Sequence, residues 1–299
     1  MINFSCKEKT NEVMKENETH HELKLSLAQW SFHRALGDKK MDHLDFIKKA
    51  GELGFQGVEY VNQFFADKAT DTTYLRKMTE TANAAGIKQL LIMIDNEGFL
   101  GDIDEKKRLE AVNNHKKWID AAKFLGCHSI RVNAHGEGAA EQVAEQAIKS
   151  MTELGTYAKP KNINVIIENH GGYSSNGDWI SSLMKNVNMD NVGLLPDFGN
   201  FCLKREEGQM WGTKCLEEYD KYKGVEQMMP WAKSVSAKSY DFDANGNETK
   251  IDYKKMSEII KKANYTGYVG VEYEGETIGE EEGVKATKAL LEKVWASKM

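Results

Sequence analysis

Eight short apolar runs alternating with segments of helical period, and acidic residues closing three of those runs, predict a single (β/α)8 TIM barrel. A third observation separates a closed barrel from a doubly wound open sheet. The segment after the first run reads Leu27-Ala28-Gln29-Trp30-Ser31-Phe32, with no Gly-rich dinucleotide-binding loop, so the open sheet loses its best support.

The predicted strands are 24–30, 56–61, 89–94, 129–133, 164–168, 192–197, 234–239 and 268–273. Val165-Ile166-Ile167 and Gly193-Leu194-Leu195 are apolar without alternation, which suits strands covered on both faces. Between them, helical stripes recur: Leu44, Ile47, Ala50 and Leu53; then Ala144, Ile148, Met151 and Leu154; then Met256, Ile259, Ile260 and Ala263. A last stripe, Leu290, Leu291, Val294 and Trp295, is placed to close the ring. Gly54, Gly86 and Gly126 fall where helix C-caps need a positive φ, and none of the three prolines lies inside a predicted helix. One barrel spanning 23–299 follows, preceded by a polar, tether-like segment over 1–22.

Composition narrows the function classes. A net charge of -6 argues against a nucleic-acid partner, because phosphate binding draws on clustered Lys and Arg. No apolar run is long enough to span a bilayer. A small polar molecule is the expected ligand; a homo-oligomer stays open. Cys127, Cys202 and Cys215 read as ordinary thiols, since no CxxC spacing occurs. As numbered, the chain reads as cytoplasmic. The alternative is export with a lipid anchor on Cys6, because Ile2-Asn3-Phe4-Ser5-Cys6 is similar to the end of a lipoprotein signal.

In a barrel, chemistry comes from the C-terminal strand ends. The fifth predicted strand ends Glu168-Asn169-His170-Gly171-Gly172, the sixth Pro196-Asp197-Phe198-Gly199-Asn200, and the eighth Glu272-Tyr273-Glu274. Three carboxylates at one mouth repel each other unless something positive lies between them, and Mg²⁺ and Mn²⁺ prefer oxygen ligands.

These strand ends resemble the xylose isomerase-like superfamily, which includes ketose 3-epimerases, hydroxypyruvate isomerase, inosose dehydratase and endonuclease IV. The resemblance implies that Glu168, Asp197 and Glu272 hold a divalent metal (Mn²⁺, Mg²⁺ or Zn²⁺). It also implies that Glu168 and Glu272 act as acid and base on the two faces of a sugar. Where the family usually has His-x-Lys on the seventh strand, this chain has Ser236-Ala237-Lys238, so Ser236 stands in place of a metal-binding histidine. His170 could replace it, since it alternates onto the side of Glu168 in an extended segment. Alternatively, Lys238 neutralises the carboxylates without a metal.

Trp30, His33, Glu59, Arg131, His135, His170, Asn200 and Lys238 are the expected substrate-binding residues, with Gln29, Asn62 and Asn133 as neighbours at the strand ends. Glu274 reads as a solvated neighbour of Glu272, His115 and His128 as structural, and Glu280-Glu281-Glu282 as acids at a helix N-terminus. The function this implies is sugar isomerisation or epimerisation by proton abstraction beside a carbonyl. A lyase or dehydratase on keto-sugars or keto-glycosides is the alternative, and a non-catalytic sugar-binding barrel the third reading. An endonuclease role is disfavoured by the scarcity of histidines at strand ends.

Overall fold

The computed structural model describes residues 22–297. Ten strands occur among them: β1 (Lys24–Ala28), β2 (Gly57–Val61), β3 (Lys88–Met93), β4 (Ser129–Val132), β5 (Asn164–Glu168), β6 (Val192–Leu195), β7 (Cys202–Arg205), β8 (Cys215–Glu218), β9 (Val235–Ser239) and β10 (Tyr268–Tyr273). Eight form one parallel sheet in the order β6-β5-β4-β3-β2-β1-β10-β9. Isolated bridges Leu194–Ala232 and Asp197–Ser236 join β6 to β9, where Phe198 N–H donates to Ser236 O at 3.0 Å and Ser236 N–H to Pro196 O at 2.9 Å. The sheet therefore curls into the expected barrel.

Helices follow each barrel strand, from His43–Glu52 after β1 to Glu280–Trp295 after β10. Asp42, Asp71, Asp104, Asn176, Asp220 and Asp252 cap six of them by accepting from first-turn N–H groups. The main core lies between strands and helices, and includes the fully buried Phe46, Trp118, Ile167 and Met256. A second apolar layer of Ala28, Val61, Leu91, Met93, Ile166 and Leu195 fills the barrel lumen. No helix among the described residues is long and apolar enough to cross a membrane.

Two predicted strands run too far. The first stops at Ala28 because Gln29–Phe32 coils into a 3-10 turn, in which the Gln29 side chain accepts from Val61 N–H at 2.9 Å. The sixth stops at Leu195, before Pro196, which has no N–H for a ladder.

The reading of Cys202 and Cys215 as ordinary thiols is corrected: they form a disulfide with Cα atoms 5.8 Å apart. The bond crosslinks β7 and β8, an antiparallel hairpin inserted between β6 and the helix Lys221–Met228. Bridges of this kind are made across sequence by a hairpin turn, and Cys spacing does not specify the turn. Cys127 is a buried thiol as expected, whereas Cys6, His20, His21 and the segment 1–21 lie outside the described residues.

Candidate active site

Side chains two residues apart on a strand share a face. That period lines the lumen with Arg131 from β4 and Asn133 just beyond it, Glu168 from β5, Asp197 beyond β6, Ser236 and Lys238 from β9, and Glu272 from β10 with Glu274 just beyond it. Glu168, Asp197 and Glu272 are all buried, and one carboxylate oxygen from each lies within 4.8 Å of the others. The three carboxylates predicted from strand ends are thus brought together.

The cations are built in beside them. Arg131 Nε approaches Glu168 Oε2 at 2.8 Å, and its Nη1 donates to Asp95 Oδ1 at 2.7 Å. The Nε approach is a charge contact rather than an aligned hydrogen bond, so Glu168 Oε2 keeps an unused lone pair in the dry interior. Lys238 Nζ lies 3.3 Å from Glu272 Oε1 and 3.1 Å from Glu274 Oε1. Glu274, expected to be solvated, is instead part of the site, because a buried lysine needs more than one carboxylate to offset its lost hydration. Burial works against the Lys238 charge, but Glu272, Glu274 and Asp197 outweigh it and keep the amine protonated.

Ser236 is a bridge: its hydroxyl reaches Asp197 Oδ2 at 2.6 Å and Glu272 Oε2 at 2.8 Å. Asp197 Oδ1 accepts from the N–H groups of Gly199 and Asn200, and Asn200 Nδ2 donates to Glu168 Oε1 at 3.0 Å. The Pro-Asp-Phe-Gly-Asn segment therefore folds back to hold two of the three carboxylates.

Electrostatics follow from the crowding. Burial pushes the Glu168 carboxyl well above its usual range; Arg131 opposes this, while Glu272 and Asp197 add to it. Burial likewise raises Asp197 to about 6, with Lys238 opposing and Glu272 reinforcing. Asp95 goes the other way: burial would raise it, but Arg131 overrides burial and holds it below the ordinary carboxylate range.

A divalent cation fits this donor set. The three ligand atoms are all oxygens, the charge excess is negative, and Glu168 Oε2 is buried without a hydrogen-bond partner, which suits a hard ion such as Mg²⁺ or Mn²⁺. Among the described residues no histidine joins the group. His170, expected on the side of Glu168, turns aside: strand alternation ends at Glu168, and His170 Nδ1 lies 3.0 Å from Asn133 Oδ1.

Above the carboxylates lies a cavity of about 490 Å³. Trp30, Arg131, His135, His170, Asn200 and Lys238 from the expected set line it, together with Asn133. Glu59 does not: it is fully buried lower in the lumen, accepting from Ser26 Oγ at 2.7 Å and pushed up to about 7 by burial. His33 stacks behind Trp30 at 4.9 Å rather than lining the cavity. Gln29 and Asn62 are buried in structural hydrogen bonds to Val61 N–H and to Asp95. His115 lines the cavity although its Nδ1 is engaged with Ala111 O, while His128 lies at the opposite end beside Ser129.

Sequence reasoning missed Asp95, Trp211 and Met210. Asp95 directly follows the third predicted strand, a signal of the kind used for Glu168. Trp211 and Met210 sit at the tip of the β7–β8 hairpin, where no periodic pattern marks them. The Trp211 ring lies 4.3 Å from that of His170 and 5.6 Å from that of His135. Gly171 permits this approach, since its φ is +91° and a Cβ there would meet the indole at 3.3 Å.

The family profile described as a xylose isomerase-like TIM barrel matches residues 47–294. No curated protein sequence matches the chain. Among solved structures, 3-keto-D-glucoside 4-epimerase from E. coli superimposes with a TM-score of 0.70 at 14% identity, covering 91% of this chain and 100% of that one. D-psicose 3-epimerase from Clostridium cellulolyticum H10, solved with D-tagatose, gives 0.70 at 13%, covering 92% and 100%. The IolI protein with a bound zinc atom gives 0.68 at 16%, covering 92% and 98%. At these identities the likeness is one of fold.

Proposed function

We propose, because the chain belongs to the xylose isomerase-like TIM barrel family, that it is a sugar isomerase or epimerase that abstracts a proton beside a carbonyl. One observation carries this reading: Glu272 faces the cavity with the Lys238 ammonium 3.3 Å away, so a base and a fixed positive charge stand side by side. The epimerase activities named for the structural relatives support it.

Glu272 takes the proton from the carbon next to the carbonyl, and Lys238 stabilises the oxyanion that develops as the enediolate forms. Arg131, buried and paired with Asp95 and Glu168, adds positive charge from the opposite wall. Glu168, held by Arg131 and Asn200, is the second acid–base residue and returns a proton on the other face, giving inversion or carbonyl transfer. Trp30 offers an apolar face for the ring, and Asn133, His135 and Asn200 offer partners for hydroxyls. Glu168, Asp197 and Glu272 would hold a divalent metal, which when bound polarises the carbonyl and acidifies the neighbouring C–H.

NMR in D₂O with a panel of keto-sugars tests this. Deuterium entering at the carbon beside the carbonyl, and lost in Glu272→Gln, is the expected result; no exchange on any keto-sugar would reject it. Ser236 and Lys238 favour one second reading, a lyase on keto-sugars or keto-glycosides. The hydroxyl of Ser236 already bridges two carboxylates and Lys238 neutralises them, so proton transfer can run on the side chains alone. Unsaturated or cleaved products in the same experiment mark that outcome.

The Cys202–Cys215 disulfide supports an exported protein over a cytoplasmic one, because such bonds persist in oxidising compartments. Fractionation of the native cell, with the chain recovered outside the cytoplasm, is the expected result.

A further inference from the structure

Two aromatic stations face the cavity and its charged floor. The first is Trp30, stacked on His33 at 4.9 Å and flanked by Phe64 at 6.1 Å. The second is Trp211, packed against His170 and His135, with Phe99 reaching the His135 ring at 6.2 Å. Arg131, Lys238, Glu272 and Glu274 share the lining with them. A ring processed at Glu272 sits over that charged floor and has one aromatic face to use.

The second station is then surplus to a single sugar. A cavity of about 490 Å³ falls within the range of roughly 300–1,000 Å³ that encloses drug-sized molecules, more than one hexose ring requires. At its outer edge Phe99, Met210 and Trp211 remain 37%, 36% and 43% exposed, an apolar rim that one small polar ring would leave bare to water. The rim is also held in place. The disulfide crosslinks the hairpin that carries Trp211, and Gly171 admits the indole against the end of β5. The two imidazoles are held in place as well, His170 Nδ1 at 3.0 Å from Asn133 Oδ1 and His135 Nε2 at 3.0 Å from His170 O.

We propose that this cavity takes a glycoside: one ring lies over Glu272 and Lys238, and the second ring occupies an outer subsite walled by Trp211, His170, His135 and Phe99. This rests on the carbohydrate reading above and names its substrate class. Trp211 is then a specificity-determining residue, stacking on the apolar face of the second ring, and the stapled hairpin is the element that presents it.

Calorimetric titration of the intact protein with unreactive probes tests the subsite without requiring turnover. The probes are methyl α- and β-D-glucopyranoside, with one ring, and maltose and cellobiose, with two. At least one disaccharide is expected to bind about tenfold or more tighter than the matching methyl glucoside, a gap of about 1.4 kcal/mol. Trp211→Ala is expected to bring that ratio close to one, and Trp211→Phe to retain part of it, with both variants melting like the parent. Disaccharides that bind no tighter than methyl glucosides, or a ratio that survives Trp211→Ala, overturn the subsite while leaving the sugar-processing reading standing. A protein that binds neither class of probe overturns the subsite as well, and the sugar-processing reading then stands or falls on the exchange experiment with keto-sugars.

Discussion

The floor of the cavity and its roof are built in opposite ways. On the floor, Glu168, Asp197, Ser236, Lys238 and Glu272 are buried on or just beyond parallel strands whose register fixes their spacing. At the roof, Met210 and Trp211 stand exposed on a hairpin outside the barrel, held by few ladder pairs and one disulfide. A barrel places reacting groups to within the tolerance that proton transfer needs, whereas a surface insertion can vary without disturbing them. The largest expected effect therefore lies on the floor. Glu272→Gln keeps the shape and removes the base, and should lower solvent exchange at the substrate carbon by about 10²–10⁴-fold. Trp211→Ala, by contrast, should act mainly on KM, so steady-state kinetics on the two variants separates chemistry from recognition.

The next effect concerns stability. Arg131 is almost wholly buried and is the cation nearest both Asp95 and Glu168. Replacing it with Met leaves the buried Glu168 and the half-buried Asp95 without their shared cation, and removing one partner of a buried pair costs about 3–5 kcal/mol. Urea unfolding should show that loss, while a wild-type midpoint for Arg131→Met would mean that the carboxylates protonate or relax at little cost.

The same contrast explains what could be read from the chain. Glu168, Asp197 and Glu272 were visible because each interrupts an apolar run at a strand end, and closing eight strands into a ring brings such positions to one mouth. Lys238 was visible for the same reason, though its second partner Glu274 was not, since nothing local distinguishes a paired carboxylate from a solvated one. His170 was misplaced because alternation applies only while the strand lasts, and β5 ends two residues earlier. The hairpin escaped altogether. Its placement of Trp211 depends on the crosslink and on Gly171, contacts distant in sequence that no period encodes.

A smaller effect sits beneath the floor. Glu59 is sealed in the lumen, with Oε2 lacking a hydrogen-bond partner, and burial lifts it from an ordinary 4.5 to about 7. Between these values the folded chain holds a proton that the unfolded chain has released, so stability from this group is present below pH 4.5 and is lost as pH rises toward 7. The span corresponds to a penalty on the order of 3 kcal/mol at pH 8. Glu59→Gln should remove it, making the variant more stable than the parent at pH 8 and close to it at pH 4.5. Melting curves at the two values decide, and an equal difference at both would mean that Glu59 does not titrate on folding.

The smallest global effect, and the sharpest local one, is expected at the roof. An isolated two-stranded hairpin is marginal in water, and β7–β8 has only Cys202–Glu218, Lys204–Glu217 and Arg205–Cys215 in register, so the disulfide supplies much of its order. For a loop of this size a crosslink is worth about 3 kcal/mol against an unfolded chain. Here the loss falls first on the hairpin, because the barrel closes through β6 and β9 without it. In Cys202→Ser/Cys215→Ser, trypsin should cut after Lys204, Arg205 or Lys214 well before the barrel is degraded, with the main melting transition nearly unmoved. If the hairpin stays resistant without its crosslink, then packing of Trp211 on His170 and Gly171 holds the roof, and the division between a rigid floor and a fastened roof gives way to a single packed unit.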